Sequence, residues 1–194
     1  MGDLRGGLVR TTLGCVLAGS VLLTGCAEKQ EASTSLPTTA PAPTTEALPP
    51  LGPADMPMPA EARTQDAAGA EAFVRYYVSL INRTSTVMDA QPLRQLSDGC
   101  RDCERIASST EEAASAGQDY EGGGLSIVEV GEPVMKDGAA DFPIVVNQAE
   151  FVVLDSSGMP THGGSAAYSD ITGGVAVVWD STRQTWLMRD LTFS

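Results

Sequence analysis

The stretch that decides the fold is AGQDYEGGGLSIVEV, residues 116–130, because one hydrophobic period ends in it and another begins. Before it, apolar residues recur at steps of three and four, which is typical of an amphipathic helix. After it, Leu125 and Ile127 start an alternation of period two, which indicates a half-buried strand. The glycines at 122–124 stop helix formation, because glycine has a low helix propensity. The sequence therefore predicts helices before this stretch and strands after it.

Three helical segments are predicted before the triple glycine. Asp66 can cap the first, which runs to about Asn82, and a short second helix follows a cap at Asp89. The third begins near Arg101 and runs to about Ala116. The first helix carries one apolar face, made of Phe73, Tyr76, Tyr77, Leu80 and Ile81.

About four strands are predicted after the triple glycine. The pair Asp137-Gly138 predicts a tight hairpin, and one long strand is expected over residues 141–154. Residues 161–174 are rich in glycine and serine and fit a strand or a loop. Two last strands, around 175–179 and 186–193, follow each other closely and should pair antiparallel. The predicted fold class is α+β, with two to three N-terminal helices packed on a curved antiparallel sheet.

The N-terminus carries a motif that looks like a bacterial lipobox, Leu23-Thr24-Gly25-Cys26. It closes an apolar run over residues 13–23 that follows two arginines, as in a signal peptide. This run is too short to remain as a spanning helix, which needs about 20 residues. We expect a signal peptide over 1–25 and acyl chains such as palmitate on Cys26. The predicted location is the extracytoplasmic face of the cell membrane, with the lipid anchor as the contact with the membrane.

Residues 26–60 are predicted to form a tether. Eight of the chain's twelve prolines lie there among threonine and alanine, so the segment has little apolar bulk to bury and should be disordered. The globular domain is then 61–194. It has 20 acidic and 9 basic residues, a net charge of −11. This charge excludes nucleic acid as a partner, because phosphates require lysine and arginine clusters.

Short motifs are spread over residues 56–194: Met56-Pro57, Gly69-Ala70, Phe73-Val74, Tyr76-Tyr77, Asn82, Pro92-Leu93, Leu96-Ser97, Cys100, Cys103 and Gly123-Gly124. On these residues the chain resembles an uncharacterised domain family of actinobacterial lipoproteins. The order of its elements resembles the nuclear transport factor 2-like superfamily, which implies a cone-shaped domain whose mouth can hold a ligand. The narrower family has no assigned activity, so the resemblance implies an architecture and no chemistry.

The pair Cys100 and Cys103 has two interpretations. Outside the cytoplasm such a pair is normally oxidised, so it can be a structural disulfide that clips the loop between the second and third helices. The same spacing at a helix start is that of a thioredoxin-type redox site. Asp98, Asp102 and Glu104 oppose the redox interpretation, because carboxylates near a thiol raise its pKa. The structural disulfide is the preferred interpretation, and an extracytoplasmic thiol-disulfide oxidoreductase is the alternative.

His162 is the only histidine of the chain, and it lies in a glycine-rich stretch. An enzyme that pairs this histidine with an acid is a third hypothesis, and a solvated loop histidine is the simpler interpretation. One histidine and two cysteines joined to each other are too few ligands for a zinc site. The sequence therefore predicts no metal, no cofactor and no catalytic residue.

Aromatic residues with polar tips are the candidates for a pocket lining on a curved sheet: Tyr76, Tyr77, Tyr120 and Trp179. The alternative is core packing, with Trp179 paired across strands with Trp186. The leading functional hypothesis is a non-catalytic binding module whose partner is a small apolar ligand or another envelope protein.

Overall fold

The computed structural model describes residues 48–194. The predicted signal peptide, the lipidation site at Cys26 and the tether up to residue 47 lie outside the described residues. A 3₁₀ turn at Ala60–Arg63 precedes three helices, which are α1 Ala67–Val87, α2 Gln91–Gln95 and α3 Arg101–Ser115. Eight strands follow: β1 Asp119–Gly122, β2 Leu125–Val130, β3 Val134–Lys136, β4 Ala139–Gln148, β5 Phe151–Leu154, β6 Pro160–Ser165, β7 Tyr168–Asp180 and β8 Thr185–Phe193.

The strands form two antiparallel sheets. The large sheet has the order β2-β4-β7-β8, with β3 also paired to β4, and the small sheet has the order β1-β5-β6. The predicted α+β class is confirmed. The predicted count of about four strands is wrong, because the described chain has eight strands in two sheets.

One bend separates the two sheets. The expected long strand over 141–154 breaks after Gln148 and resumes at Phe151 in the small sheet. The triple glycine lies opposite this break, as the register shows: Gly122 pairs with Phe151, and Leu125 pairs with Gln148. Backbone hydrogen bonds of 3.0 Å continue across the bend, for example from the Gly123 N–H to the Glu150 carbonyl. A single antiparallel ladder is thus folded at its glycines into two sheets.

The core lies between α1 and the inner face of the large sheet. Helix α1 begins as predicted, since the Asp66 carboxylate accepts a 2.7 Å hydrogen bond from the Gly69 N–H. It runs past the predicted end at Asn82 to Val87, where Met88 has left-handed backbone angles and ends it. Alternate residues of β4 face α1 and are buried, namely Ala140, Phe142, Ile144 and Val146. Removing this apolar surface from water stabilises the two-layer arrangement by about 25 cal/mol per Å².

Residues 51–59 pack on the domain, although the sequence predicts a disordered tether up to residue 60. We call this segment the strap. Met58 is only 9% exposed, and the Met56 carbonyl accepts a 2.9 Å hydrogen bond from the Tyr76 hydroxyl. The prediction from proline content missed the strap because its few apolar side chains find a surface on α1. The folded unit therefore begins before residue 61.

An ion pair also holds the strap. Arg83 on α1 donates two hydrogen bonds, of 2.8 and 2.9 Å, to the Asp55 carboxylate. This guanidinium lowers the pKa of Asp55, and Asp89 approaches the same arginine at 3.3 Å.

In the part of the chain that the structure describes, no helix has the length and apolar character needed to span a bilayer.

Candidate functional site

A groove of about 340 Å³ lies where α1 and α3 meet the bend between the two sheets. We call it the central groove. Its size is at the lower end of small-molecule pockets, which range over about 300–1,000 Å³. Its lining residues are Ile81, Ser85, Arg105, Ile106, Ser109, Thr110, Tyr120, Gly122, Gly123, Leu125, Gln148, Phe151 and Phe193. Both helices and both sheets thus contribute to one concave, mainly apolar surface.

The glycine bend shapes the floor of the central groove. Gly122 and Gly123 have φ angles of +82° and +81°, in the region that side chains disfavour. A Cβ atom on Gly123 would lie only 2.8 Å from the Cβ atom of Phe151. Glycine therefore allows the Phe151 side chain to lie against the backbone of the opposite strand. A larger residue at position 123 would push this ring away from its place in the lining.

Tyr120 is the one predicted pocket residue that lines the central groove. Its ring stands edge-to-face against Phe151, with 6.0 Å between the ring centroids. Its hydroxyl donates a 3.1 Å hydrogen bond to the Ser109 carbonyl, which joins the small sheet to α3. Burial raises the pKa of the Tyr120 phenol, and the charge of Glu112 raises it further. Tyr120 is therefore a neutral wall of the groove.

The two neighbouring tyrosines of α1 lie elsewhere. Tyr77 is fully buried in the core, and its hydroxyl shares a 2.7 Å hydrogen bond with the Ser97 hydroxyl. Burial raises the pKa of Tyr77 to about 12. Tyr76 borders a separate shallow depression beside the strap, where its hydroxyl donates a hydrogen bond to the Met56 carbonyl. Consecutive residues of a helix point about 100° apart, and here the Tyr76 hydroxyl reaches the strap while Tyr77 fills the core.

Trp179 also lies away from the central groove. It sits on β7 and packs edge-to-face on Trp186 of β8, with 5.4 Å between the ring centroids. This is the cross-strand pairing that the sequence analysis gave as the alternative to a pocket. Trp186 is fully buried and donates a 2.9 Å hydrogen bond to the Thr64 carbonyl. The four aromatic candidates therefore do not share one pocket.

Sequence reasoning missed several lining residues of the central groove. Phe151 was placed inside a continuous strand, and Phe193 was read only as the end of the last strand. No local sequence pattern indicates that either residue lines a groove, because the bend that brings them together depends on pairing between distant strands. Arg105 was also missed. It lies on α3, its side chain is 70% exposed, and its Nε donates to Asp102 at 3.2 Å.

The Cys100 and Cys103 sulfurs lie at disulfide-bonding distance, with the Cα atoms 5.2 Å apart. Cys100 caps α3, since its Sγ accepts a 3.2 Å hydrogen bond from the Cys103 N–H. The residues are only 3% and 2% exposed. A second groove of about 440 Å³ lies over this pair and is lined by Arg94, Ser97, Gly99, Arg101 and Glu104.

The acids beside the cysteines are not free charges. Each has an arginine partner: Asp98 with Arg189 at 3.9 Å, Asp102 with Arg105 at 3.2 Å, and Glu104 with Arg94 at 2.8 Å. Arg94 also contacts Glu111, and its hydrogen bonds lower the pKa of Glu104. The sequence analysis treated these carboxylates as charges without basic partners, and the structure corrects this, because each has an arginine partner. Cys100 and Cys103 are nearly buried, although both border the second groove.

His162 is exposed on β6, the outer strand of the small sheet, and is not among the residues of the central groove. Within residues 48–194, no three histidine, cysteine, aspartate or glutamate side chains gather in the way that a metal ion requires.

The fold and the groove define an α+β domain with a concave site between two antiparallel sheets. The family described as "Family of unknown function (DUF6318)" matches residues 52–192, and the chain belongs to this family. The matched range includes residues 52–59 of the strap. Among solved structures, the chain is similar to the intermembrane space region of the chloroplast protein ARC6. The identity is 20%, the TM-score is 0.48, and the match covers 66% of this chain and 95% of that one. No curated protein matches the chain.

Proposed function

We propose that this protein is a membrane-anchored cell-envelope lipoprotein whose folded domain is a non-catalytic binding module for a small apolar ligand. The central groove is the binding site. The observation that carries the proposal is the lining itself, to which both helices and both sheets contribute apolar side chains. The lipobox-like motif at residues 23–26 and the resemblance to lipoprotein domains support the location in the envelope.

The chemistry of the lining favours binding over catalysis. Apolar and aromatic side chains dominate it: Ile81, Ile106, Tyr120, Leu125, Phe151 and Phe193. The polar lining groups are hydroxyls, the Gln148 amide and the Arg105 guanidinium. Among the lining residues that the structure describes, none is a carboxylate, a histidine or a thiol. Such a surface buries apolar groups and offers hydrogen bonds, but has no side chain suited to act as a general base near neutral pH.

The walls of the groove are held in place before a ligand arrives. The Tyr120 hydroxyl bonds to the Ser109 carbonyl, which fixes β1 against α3. The amide of Asn82 bonds twice to the backbone of Leu125, which fixes β2 against α1. A preformed site loses less conformational entropy on binding. The groove therefore suits a small ligand of defined shape.

The location follows from the N-terminal motif. Acyl chains on Cys26 contribute about 0.8 kcal/mol per buried methylene, so two or three chains make the attachment stable. Replacing Cys26 with serine should abolish the incorporation of radiolabelled palmitate into the chain. Equal labelling of the parent and Cys26→Ser chains would contradict the lipid anchor.

The test of the groove uses the mature chain, residues 26–194, with Cys26→Ala so that no detergent is needed. The probe is N-phenyl-1-naphthylamine, a neutral apolar fluorophore. We expect saturable binding to the parent chain and at least about threefold weaker binding to Phe151→Ala, because that change removes apolar contact area. Val153→Ala on the same strand lies outside the lining and is the matched control. Binding that is absent, or that Phe151→Ala leaves unchanged while circular dichroism shows a folded chain, would refute the proposal.

A further inference from the structure

We propose that the central groove selects ligands with an apolar body and an anionic head, a carboxylate or a phosphate, and that Arg105 binds the head. This rests on the proposed function, because it assigns the ligand class of the same groove. Arg105 lies on α3 one turn before Ser109, and both residues line the groove. Its side chain is 70% exposed, which places the guanidinium at the mouth rather than on the floor.

Several N–H donors of the Arg105 guanidinium have no acceptor among the described residues. Its Nε donates to the Asp102 carboxylate at 3.2 Å, and Asp102 belongs to the same helix. Among the described residues, the two terminal nitrogens of Arg105 have no hydrogen-bond partner. These nitrogens carry four of the five N–H groups of a guanidinium, in a planar arrangement that matches carboxylate and phosphate oxygens. Asp102 therefore restrains the side chain at Nε and leaves the terminal N–H groups for a ligand.

The charges of the lining favour an anionic head over a cationic one. Arg105 is the only charged side chain among the lining residues that the structure describes, so a cationic head would find no counter-ion there. Two acids lie near by: Asp102, which holds Nε, and Glu112, whose charge acts on the Tyr120 hydroxyl. Neither is a lining residue. The domain as a whole is acidic, so the preference for an anion has to come from this local cation.

The size of the preference follows from the exposure of Arg105. Exposed ion pairs are weak, and partial burial by the ligand body strengthens them. We therefore expect the anionic head to improve affinity about two- to fivefold over a neutral head on the same body. Added salt should reduce this ratio, because the pair remains open to solvent.

The test compares dodecanoate and dodecyl phosphate, below their critical micelle concentrations, with dodecanol below its solubility limit. Each is titrated by calorimetry against the mature chain with Cys26→Ala at pH 7.5. We expect both anions to bind about two- to fivefold more tightly than the alcohol. Arg105→Gln should abolish this preference, so that the two anions and the alcohol bind with equal affinity. Arg101→Gln, which changes an arginine of the same helix outside the central groove, is the matched control and should preserve it.

The outcomes separate the two proposals. If the three compounds bind equally to the parent chain, the selection by Arg105 is refuted and the apolar groove stands. If Arg101→Gln reduces the ratio as much as Arg105→Gln does, the effect is general electrostatics and the assignment of the head site is refuted. If none of the three binds, the proposed function fails together with this inference. A preference for only one anion upholds the site and identifies its head group.

Discussion

The side-chain amide of Asn82 exchanges two hydrogen bonds with the backbone of Leu125. Its Nδ2 donates to the Leu125 carbonyl and its Oδ1 accepts from the Leu125 N–H, both at 2.8 Å. Leu125 is the first residue of β2, directly after the glycine bend. The pair therefore joins α1 to the large sheet at the point where the two sheets separate. Because Ile81 and Leu125 both line the central groove, this contact also sets the spacing of its walls.

Replacing Asn82 with aspartate should destabilise the domain. The carboxylate still accepts from the Leu125 N–H, but it cannot donate to the Leu125 carbonyl and places negative charge beside it. We expect the free energy of unfolding in urea to fall by about 1–3 kcal/mol. Gln91→Ala, at an exposed position, is the control and should stay within about 0.5 kcal/mol of the parent. An Asn82→Asp chain as stable as the control would show that the two hydrogen bonds contribute nothing measurable.

The buried phenol of Tyr77 should make the domain sensitive to alkaline pH. Burial raises its pKa from 10.0 to about 12. Between these values the unfolded chain releases the phenolic proton while the folded chain retains it, so stability is full below pH 10 and falls as pH rises towards 12. The loss can reach about 3 kcal/mol at roughly 1.4 kcal/mol per pKa unit.

Denaturation curves between pH 9 and 12 would measure this dependence. Tyr77→Phe should be less stable than the parent at neutral pH, because the hydrogen bond to Ser97 is lost, yet its stability should fall less above pH 10. Tyr168→Phe changes an exposed phenol and is the control that should follow the parent. If Tyr77→Phe loses stability as steeply as the parent does, another group is responsible for the pH dependence.

The strap should be part of the folding unit. A chain that starts at residue 61 loses the buried Met58 side chain, the hydrogen bond between Tyr76 and Met56, and the ion pair of Arg83 with Asp55. We expect it to be less stable than a chain that starts at residue 48 by at least about 2 kcal/mol, since burial of a methionine side chain alone contributes about 1.5–3 kcal/mol. Equal melting of the two chains would place the domain boundary at residue 61 after all.

The two roles of Cys100 can be separated by two substitutions. Cys100→Ser and Cys100→Ala both remove the cross-link, but serine retains an acceptor for the Cys103 N–H at the start of α3. We expect Cys100→Ser to remain folded. Its free energy of unfolding should fall by less than the roughly 3 kcal/mol that a disulfide closing a fifteen-residue loop contributes. Cys100→Ala should lose about 0.5–2 kcal/mol more. Chemical unfolding under non-reducing conditions measures both, and identical stabilities would mean that the cap is unimportant.

Local signals predicted the helices and turns, with one error: Ala90 and not Asp89 is the N-cap residue of α2, and it makes no side-chain cap hydrogen bond. Asp66 caps α1 as expected, and α3 spans nearly the predicted range, because capping and apolar periodicity act within a few residues. The hairpin at Asp137-Gly138 is present, with φ angles of +48° and +79° that this pair tolerates. These features depend on neighbours in the chain, so the sequence is sufficient for them.

The candidate site was far less accessible to such reasoning. Only Tyr120 among the four aromatic candidates lines the central groove, and Arg105 was not considered at all. Tyr76 and Tyr77 looked equivalent as neighbours on one helix, but one contacts the strap and the other fills the core. Which aromatic side chain reaches a cavity depends on the surfaces that surround it, and those surfaces come from elements far away in the chain.

The sequence by itself determined the α+β class, the order of helices before strands, the cap at Asp66 and the tight turn at Asp137-Gly138, because these follow from short-range periodicity and backbone preferences. The tertiary structure decided that one ladder bends into two sheets, that the proline-rich strap belongs to the domain, and that Phe151 and Arg105 share a groove. The reason is that strand pairing and packing act between residues distant in sequence, where no local pattern records the partner.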